Sequence, residues 1–126
     1  MRFPISRLAL FAFVTLTIVS AESQSQFAGS WHTKISSVTG KHSITVNIIV
    51  NEGTFGGSVV LLNPDGSEIE SEIFNTKLSG QILEFETKLR NDVFDWRLTL
   101  QKGNKKGLLH GSIGEMVIDE QVVKQR

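Results

Sequence analysis

Between His42 and the end of the chain, apolar residues recur at every second position rather than every third or fourth. Ile44, Val46, Ile48 and Val50 fall on one side of a segment whose other side carries Ser43, Thr45 and Asn47. Leu83, Phe85 and Leu89 are opposed by Glu84, Glu86 and Lys88. Phe94, Trp96, Leu98 and Leu100 are opposed by Asp95, Arg97 and Thr99. A period of two with one apolar face predicts half-buried β-strands. Turn residues punctuate the pattern at Thr39-Gly40, Glu52-Gly53, Pro64-Asp65-Gly66, Ser79-Gly80, Arg90-Asn91-Asp92 and Gly103-Asn104. Such spacing, about 8 to 13 residues, is that of a hairpin meander. At the third of these turns Pro64 pre-sets one dihedral and Gly66 supplies the positive one. The strands are predicted at 29–37, 42–51, 55–62, 67–74, 81–89, 93–101, 107–113 and 115–123, with a short turn of helix near 24–28. The fold class is therefore all-β, an antiparallel up-and-down meander of eight strands. Strands with one apolar face must hide their edges, and closure into a barrel does so. A two-sheet sandwich satisfies the same pattern, and the alternation alone does not separate the two.

The first twenty residues read differently. Arg2 and Arg7 precede Leu8 to Val19, twelve residues in which only Thr15 and Thr17 are polar, and Val19-Ser20-Ala21 follows with small residues at its exit. A charged start, a short apolar middle and a small-residue exit make a secretory signal peptide. A spanning helix needs about 20 apolar residues, so twelve predict a cleaved leader rather than an anchor. Cleavage is expected after Ala21, with the bond after Ser23 as second choice. The expectation is an exported protein, periplasmic or extracellular and soluble after processing, with residues 22–126 as one domain.

Composition narrows the classes of function. Removing 21 of 126 residues leaves 105, enough for one core. The 13 acids are kept while Arg2 and Arg7 are lost from the 13 bases, giving a formal charge near −2. No basic excess points to nucleic acid. The chain has no cysteine, which excludes disulfides, lipoprotein attachment and a thiol nucleophile, and fits a bacterial envelope better than a eukaryotic secretory route.

Phe27-Ala28-Gly29-Ser30-Trp31 places a Gly-x-Trp on the first predicted strand. This opening resembles that of the calycin barrels, the lipocalins, fatty-acid-binding proteins and avidins. Gly53-Thr54-Phe55-Gly56-Gly57-Ser58-Val59, followed by Leu78-Ser79-Gly80-Gln81-Ile82-Leu83-Glu84-Phe85-Glu86, is similar to the smaller lipocalin-like β domains of bacterial envelopes. The resemblance implies a small closed barrel with Trp31 on its floor. It carries over no ligand-binding residue: the chain is shorter than a lipocalin, has no room for a helical lid, and has no tyrosine.

Candidate chemistry is sparse. His32, His42 and His110 have no metal-ligand spacing, so neither a metal nor a cofactor is expected. His32 should point outward if Trp31 points in, His42 reads as a surface histidine, and His110 as surface or part-buried. Gly57-Ser58-Val59 and Gly111-Ser112-Ile113-Gly114 are not nucleophile elbows, and read as small residues easing strand crowding. No catalytic residue is assigned and the expectation is a binding protein, not an enzyme. A hydrolase would need a serine or aspartate within hydrogen-bond reach of a histidine in a cleft. Glu68, Glu70 and Glu72 read as a solvated sheet face, and Lys102, Lys105 and Lys106 as a hairpin tip. Trp31, Phe55, Phe85, Phe94 and Trp96 are the candidate ligand-lining set. They either wall a cavity for a small apolar molecule or fill the barrel, leaving an envelope protein as partner. An eight-stranded barrel is wide enough for either, and the bulk of these side chains favours a mostly filled interior.

Overall fold

The computed structural model describes residues 24–125. The expected leader, including the cleavage site at Ala21, lies outside the described residues. Eight strands follow in chain order: β1 (Gly29–Ser37), β2 (Gly40–Asn51), β3 (Thr54–Leu62), β4 (Glu68–Ser79), β5 (Ile82–Leu89), β6 (Asp92–Leu100), β7 (Lys106–Ile113) and β8 (Met116–Gln125). Each pairs antiparallel with the next, and β8 returns to β1, so the sheet is a closed barrel rather than a sandwich. A single turn of helix at 24–27 precedes β1.

The alternation seen in the sequence becomes the inside and outside of the barrel. Ile44, Val46 and Ile48 point in from β2, Val59 and Leu61 from β3, Leu83 and Phe85 from β5, and Trp96, Leu98 and Leu100 from β6. Leu109 of β7 and Ile118 and Val122 of β8 complete the wall. Two-residue loops suit the strand twist when the backbone turns left-handed. Glu52 and Gly53 do so at φ 52° and 82° between β2 and β3. The longer Asn63–Ser67 loop is held by Gly66 N–H donating to the Asn63 carbonyl at 3.0 Å and by Ser67 N–H donating to the Asp65 carboxylate at 2.9 Å.

Two strands outrun their predicted ends. β4 continues past residue 74 to Ser79 through a bulge, at which Phe74 stands opposite Glu86 and Lys77 opposite Glu84. Asn75 occupies the extra position at φ 50° and donates through Nδ2 to Glu86 Oε1 at 2.8 Å. β8 runs on to Gln125 because its last residues close the barrel, with Ser30, Trp31 and His32 paired to Gln125, Lys124 and Val123.

One end of the barrel is a floor. Phe27 and Trp31 are fully buried there. Phe27 meets Phe55 edge-on at 6.1 Å, and its carbonyl accepts from the Trp31 indole N–H at 2.9 Å. Gln24 Nε2 ties the helix to the β2–β3 turn through the Gly53 carbonyl at 2.8 Å. Lys124, directly across from Trp31, sets its Nζ 5.1 Å from the centre of the indole and donates to the Gln26 carbonyl at 2.9 Å. The lysine bolts the last strand to the helix that plugs the floor. The opposite end, the mouth, is ringed by the β1–β2, β3–β4, β5–β6 and β7–β8 loops.

Candidate functional site

The five aromatic candidates do not surround one space. Trp31 lies on the floor, with half-buried Phe55 beside it. Phe85 and Trp96 are cross-strand partners halfway along the barrel, with rings stacked at 6.3 Å and 8° and each 2 % exposed. Phe94 is half-buried nearer the mouth, opposite Thr87. The Trp96 indole N–H donates to Thr87 Oγ1 at 2.9 Å, which accounts for a threonine buried in this wall. Gly111 lies opposite Trp96, and a Cβ there would meet Trp96 Cε3 at 2.4 Å. Trp31, Phe85 and Trp96 are thus all engaged in packing.

The grooves of the molecule lie on the outer wall and around the mouth. A groove of about 480 Å³ runs over the bulge; it is lined by the polar Asn75, Lys77, Glu84, Asp95, Arg97 and His110, and it also reaches Phe85 and Trp96 of the candidate aromatic set. The ladder sets its charges in a row: Lys77 opposite Glu84, Glu84 opposite Arg97, Arg97 opposite His110, and His110 opposite Asp119. Among the described residues only His110 and Asp119 of this row approach within salt-bridge range, at 3.7 Å, and both are well exposed. Glu86 stands directly opposite Asp95, a like-charge pairing that costs stability. Asn75 offsets part of it by donating to Glu86. Glu68, Glu70 and Glu72 face outward, as the alternation predicts, and Lys88 lines a second groove beside Glu72. Lys102, Lys105 and Lys106 lie at the β6–β7 connection, at the floor end.

The histidines split. His32 points outward from β1 and shares a hydrogen bond with Thr45 Oγ1 at 3.0 Å. His110 is also outward, its side chain 53 % exposed, so it has no place in the core. His42 corrects the surface reading: it is 6 % exposed. Its position shares the parity of Ile44 and Val46, so the same alternation that buries them turns it inward at the mouth. Both ring nitrogens are engaged. Nε2 lies 2.9 Å from Ser37 Oγ and 3.2 Å from Thr39 Oγ1, and Nδ1 lies 3.0 Å from Asn63 Oδ1. Asn63 Nδ2 donates to Ser67 Oγ at 3.1 Å, which aims Oδ1 at the ring. An amide oxygen only accepts, so Nδ1 carries the proton and Nε2 presents a lone pair to the two hydroxyls. Ser67, which bonds Asn63, also donates through Oγ to Asp65 at 2.6 Å. These hydrogen bonds from Ser67, side chain first and backbone second, hold the Asp65 carboxyl below its ordinary value.

Ser37 and Thr39 belong to the β1–β2 hairpin and Asn63 to the β3–β4 loop. Nothing in their spacing announces the cluster, because cross-strand register alone brings these segments to His42. The parity of His42 was the available signal. Clefts of about 260 and 300 Å³ flank the ring, the first lined by Lys34, Lys41 and Leu62 and the second by Thr39 and Asp65, with Asn63 and Pro64 in both. Among the described residues no group of three metal-ligating side chains comes together.

No protein-family model, curated protein or solved structure matches the chain.

Proposed function

We propose that the chain is an exported, calycin-like binding domain that works from its outer surface, with a protein of the envelope as partner, rather than by holding an apolar molecule inside. The observation that carries this reading is the fate of the aromatic set. Trp31, Phe85 and Trp96 are at most 2 % exposed and pack against helix, glycine and one another. A ligand cavity is commonly lined by such residues, but here they are used up as core. Phe27 closes the floor. The space left for recognition is outside, where the groove around Arg97 offers charges of both signs, with His110 alone among its described lining residues within salt-bridge range of a partner, Asp119.

The polarity of the barrel supports a water-facing role. A membrane-spanning barrel carries an apolar band on its outer face and a polar lumen. This one is apolar within, and its outer wall bears Glu70, Glu72, Glu84, Asp95 and Arg97. The Gly29-x-Trp31 opening and the exported leader fit the small calycin-like domains of bacterial envelopes, and on this reading no cofactor is needed.

Native mass spectrometry before and after organic extraction tests the proposal on protein purified from its host. The expected result is one unchanged polypeptide mass in both spectra. A small molecule present in stoichiometric amount and lost on extraction would overturn the filled-core reading and return the aromatic set to ligand binding.

A further inference from the structure

The mouth of the barrel carries an arrangement that surface binding does not require. We propose that Ser37, His42 and Asn63 form a nucleophile, base and orienter, and that Ser37 is acylated by small activated esters. The geometry is that of activation of a weak hydroxyl nucleophile: its oxygen within hydrogen-bond reach of a base, and the base held by a third group. Ser37 Oγ is 2.9 Å from His42 Nε2, and His42 Nδ1 is 3.0 Å from Asn63 Oδ1.

Three features go beyond proximity. The tautomer is set by the Ser67–Asn63 bond, which leaves Nε2 as the acceptor a general base requires. The ring is 6 % exposed whereas Ser37 is exposed, so the base is shielded from water while its hydroxyl partner meets solvent at the mouth. Thr39 N–H also donates to Ser37 Oγ, at 3.3 Å, which favours developing negative charge on that oxygen.

The step balances within this set. As Ser37 Oγ attacks the ester carbonyl carbon its proton passes to Nε2, and an Oγ–C bond forms. The bond from that carbon to the leaving oxygen breaks, and the leaving oxygen takes the proton from Nε2. Water then attacks the acyl carbon, giving a proton to Nε2; the bond from that carbon to Oγ breaks, Oγ takes the proton back from Nε2, and the acid leaves with Ser37 restored. Asn63 is neutral where a carboxylate would hold the imidazolium more strongly, so slow acylation is expected rather than fast turnover.

A fluorophosphonate probe gives a readout separate from turnover, since it leaves an O–P adduct on the serine and releases fluoride with the proton. The purified protein is incubated with the probe, its intact mass is measured, and the adduct is located by fragmentation of the Ile35–Lys41 tryptic peptide. One adduct on Ser37 is expected, absent in S37A, retained in S36A, and formed at least tenfold more slowly in H42Q. The charged groups facing the His42 ring are Asp65 from the β3–β4 loop and Lys34 and Lys41 from β1 and β2. Circular dichroism keeps the variants interpretable by showing each still folded. No adduct on the native protein, an adduct on Ser36 or Thr39 instead, or undiminished labelling of a folded H42Q variant would each overturn the proposal.

Discussion

At the scale of single residues, the tightest constraint is on Trp96. Its ring lies against Gly111, stacks on Phe85 and donates to Thr87. Overpacking of a filled wall costs about 1–3 kcal/mol. Gly111→Ala should cost at least that, because the new methyl meets the ring at 2.4 Å. Urea denaturation measures it, and a change below about 0.5 kcal/mol would show that the interior has slack. Thr87→Val tests a different term at nearly constant shape. It leaves the indole N–H buried without an acceptor, a loss of about 1–3 kcal/mol. An unchanged midpoint would mean that water reaches this nitrogen, and with it that the wall is not sealed. Gly57 is constrained by backbone rather than side chain. A Cβ there would lie 1.8 Å from the Asn47 carbonyl oxygen, and the residue's φ is +124°.

At the scale of elements, the alternation carried most of the fold. It placed the eight strands and the turn at Pro64–Gly66, and it put Glu68, Glu70 and Glu72 outside. It failed where a strand breaks period. Asn75 inserts one residue into β4, so Leu78 faces inward on an even number after Ile69, Ser71 and Ile73 on odd ones. A window that ends at Phe74 sees the strand stop. The cluster at the mouth was legible only in part, since parity points His42 inward, but no local pattern announces that Ser37, Thr39 and Asn63 converge on it. The β1–β8 seam is likewise a product of closure alone. Its ladder consists of Ser30–Gln125, Trp31–Lys124 and His32–Val123, whereas β1 pairs with β2 along its whole length. Amides of β1 from Thr33 to Ile35 that face the seam should therefore exchange with solvent faster than those between β2 and β3. Equal protection by hydrogen exchange would mean the two edges meet along their full length in solution. The Asp65 turn adds a dependence on pH. Its carboxyl is held down by the Ser67 hydrogen bonds in the folded chain, so the folded state is favoured above the ordinary aspartate range. That contribution is lost as pH falls through the lowered value. Amide shifts of Ser67 should move in that acid range, and a flat profile there would remove the carboxylate from the turn's stability.

For the molecule as a whole, closure is the central energetic question, because no disulfide holds the ends together. Two different interactions converge at the floor. Phe27 contributes burial, and a fully buried phenylalanine cut to alanine costs about 3–5 kcal/mol. Lys124 contributes a hydrogen bond to the Gln26 carbonyl and a cation set over Trp31, together about 1–2 kcal/mol. Burial also lowers the Lys124 pKa, so part of its attraction is offset by desolvation, and Lys124→Met should sit at the low end of that range. The apolar substitute keeps the stem that packs beside Gly29. Both side chains secure the same helix, one from beneath and one from the last strand. Once Phe27 is gone, the helix has little to hold it, and Lys124 then has less to fasten. The double variant Phe27→Ala with Lys124→Met should accordingly cost less than the sum of the single changes, by about 0.5 kcal/mol or more, as expected for residues sharing one contact network. Thermal or urea unfolding of the four proteins reads this directly. Strict additivity would show that the plug and the closing strand act independently, and that three ladder pairs suffice to close the barrel without the helix.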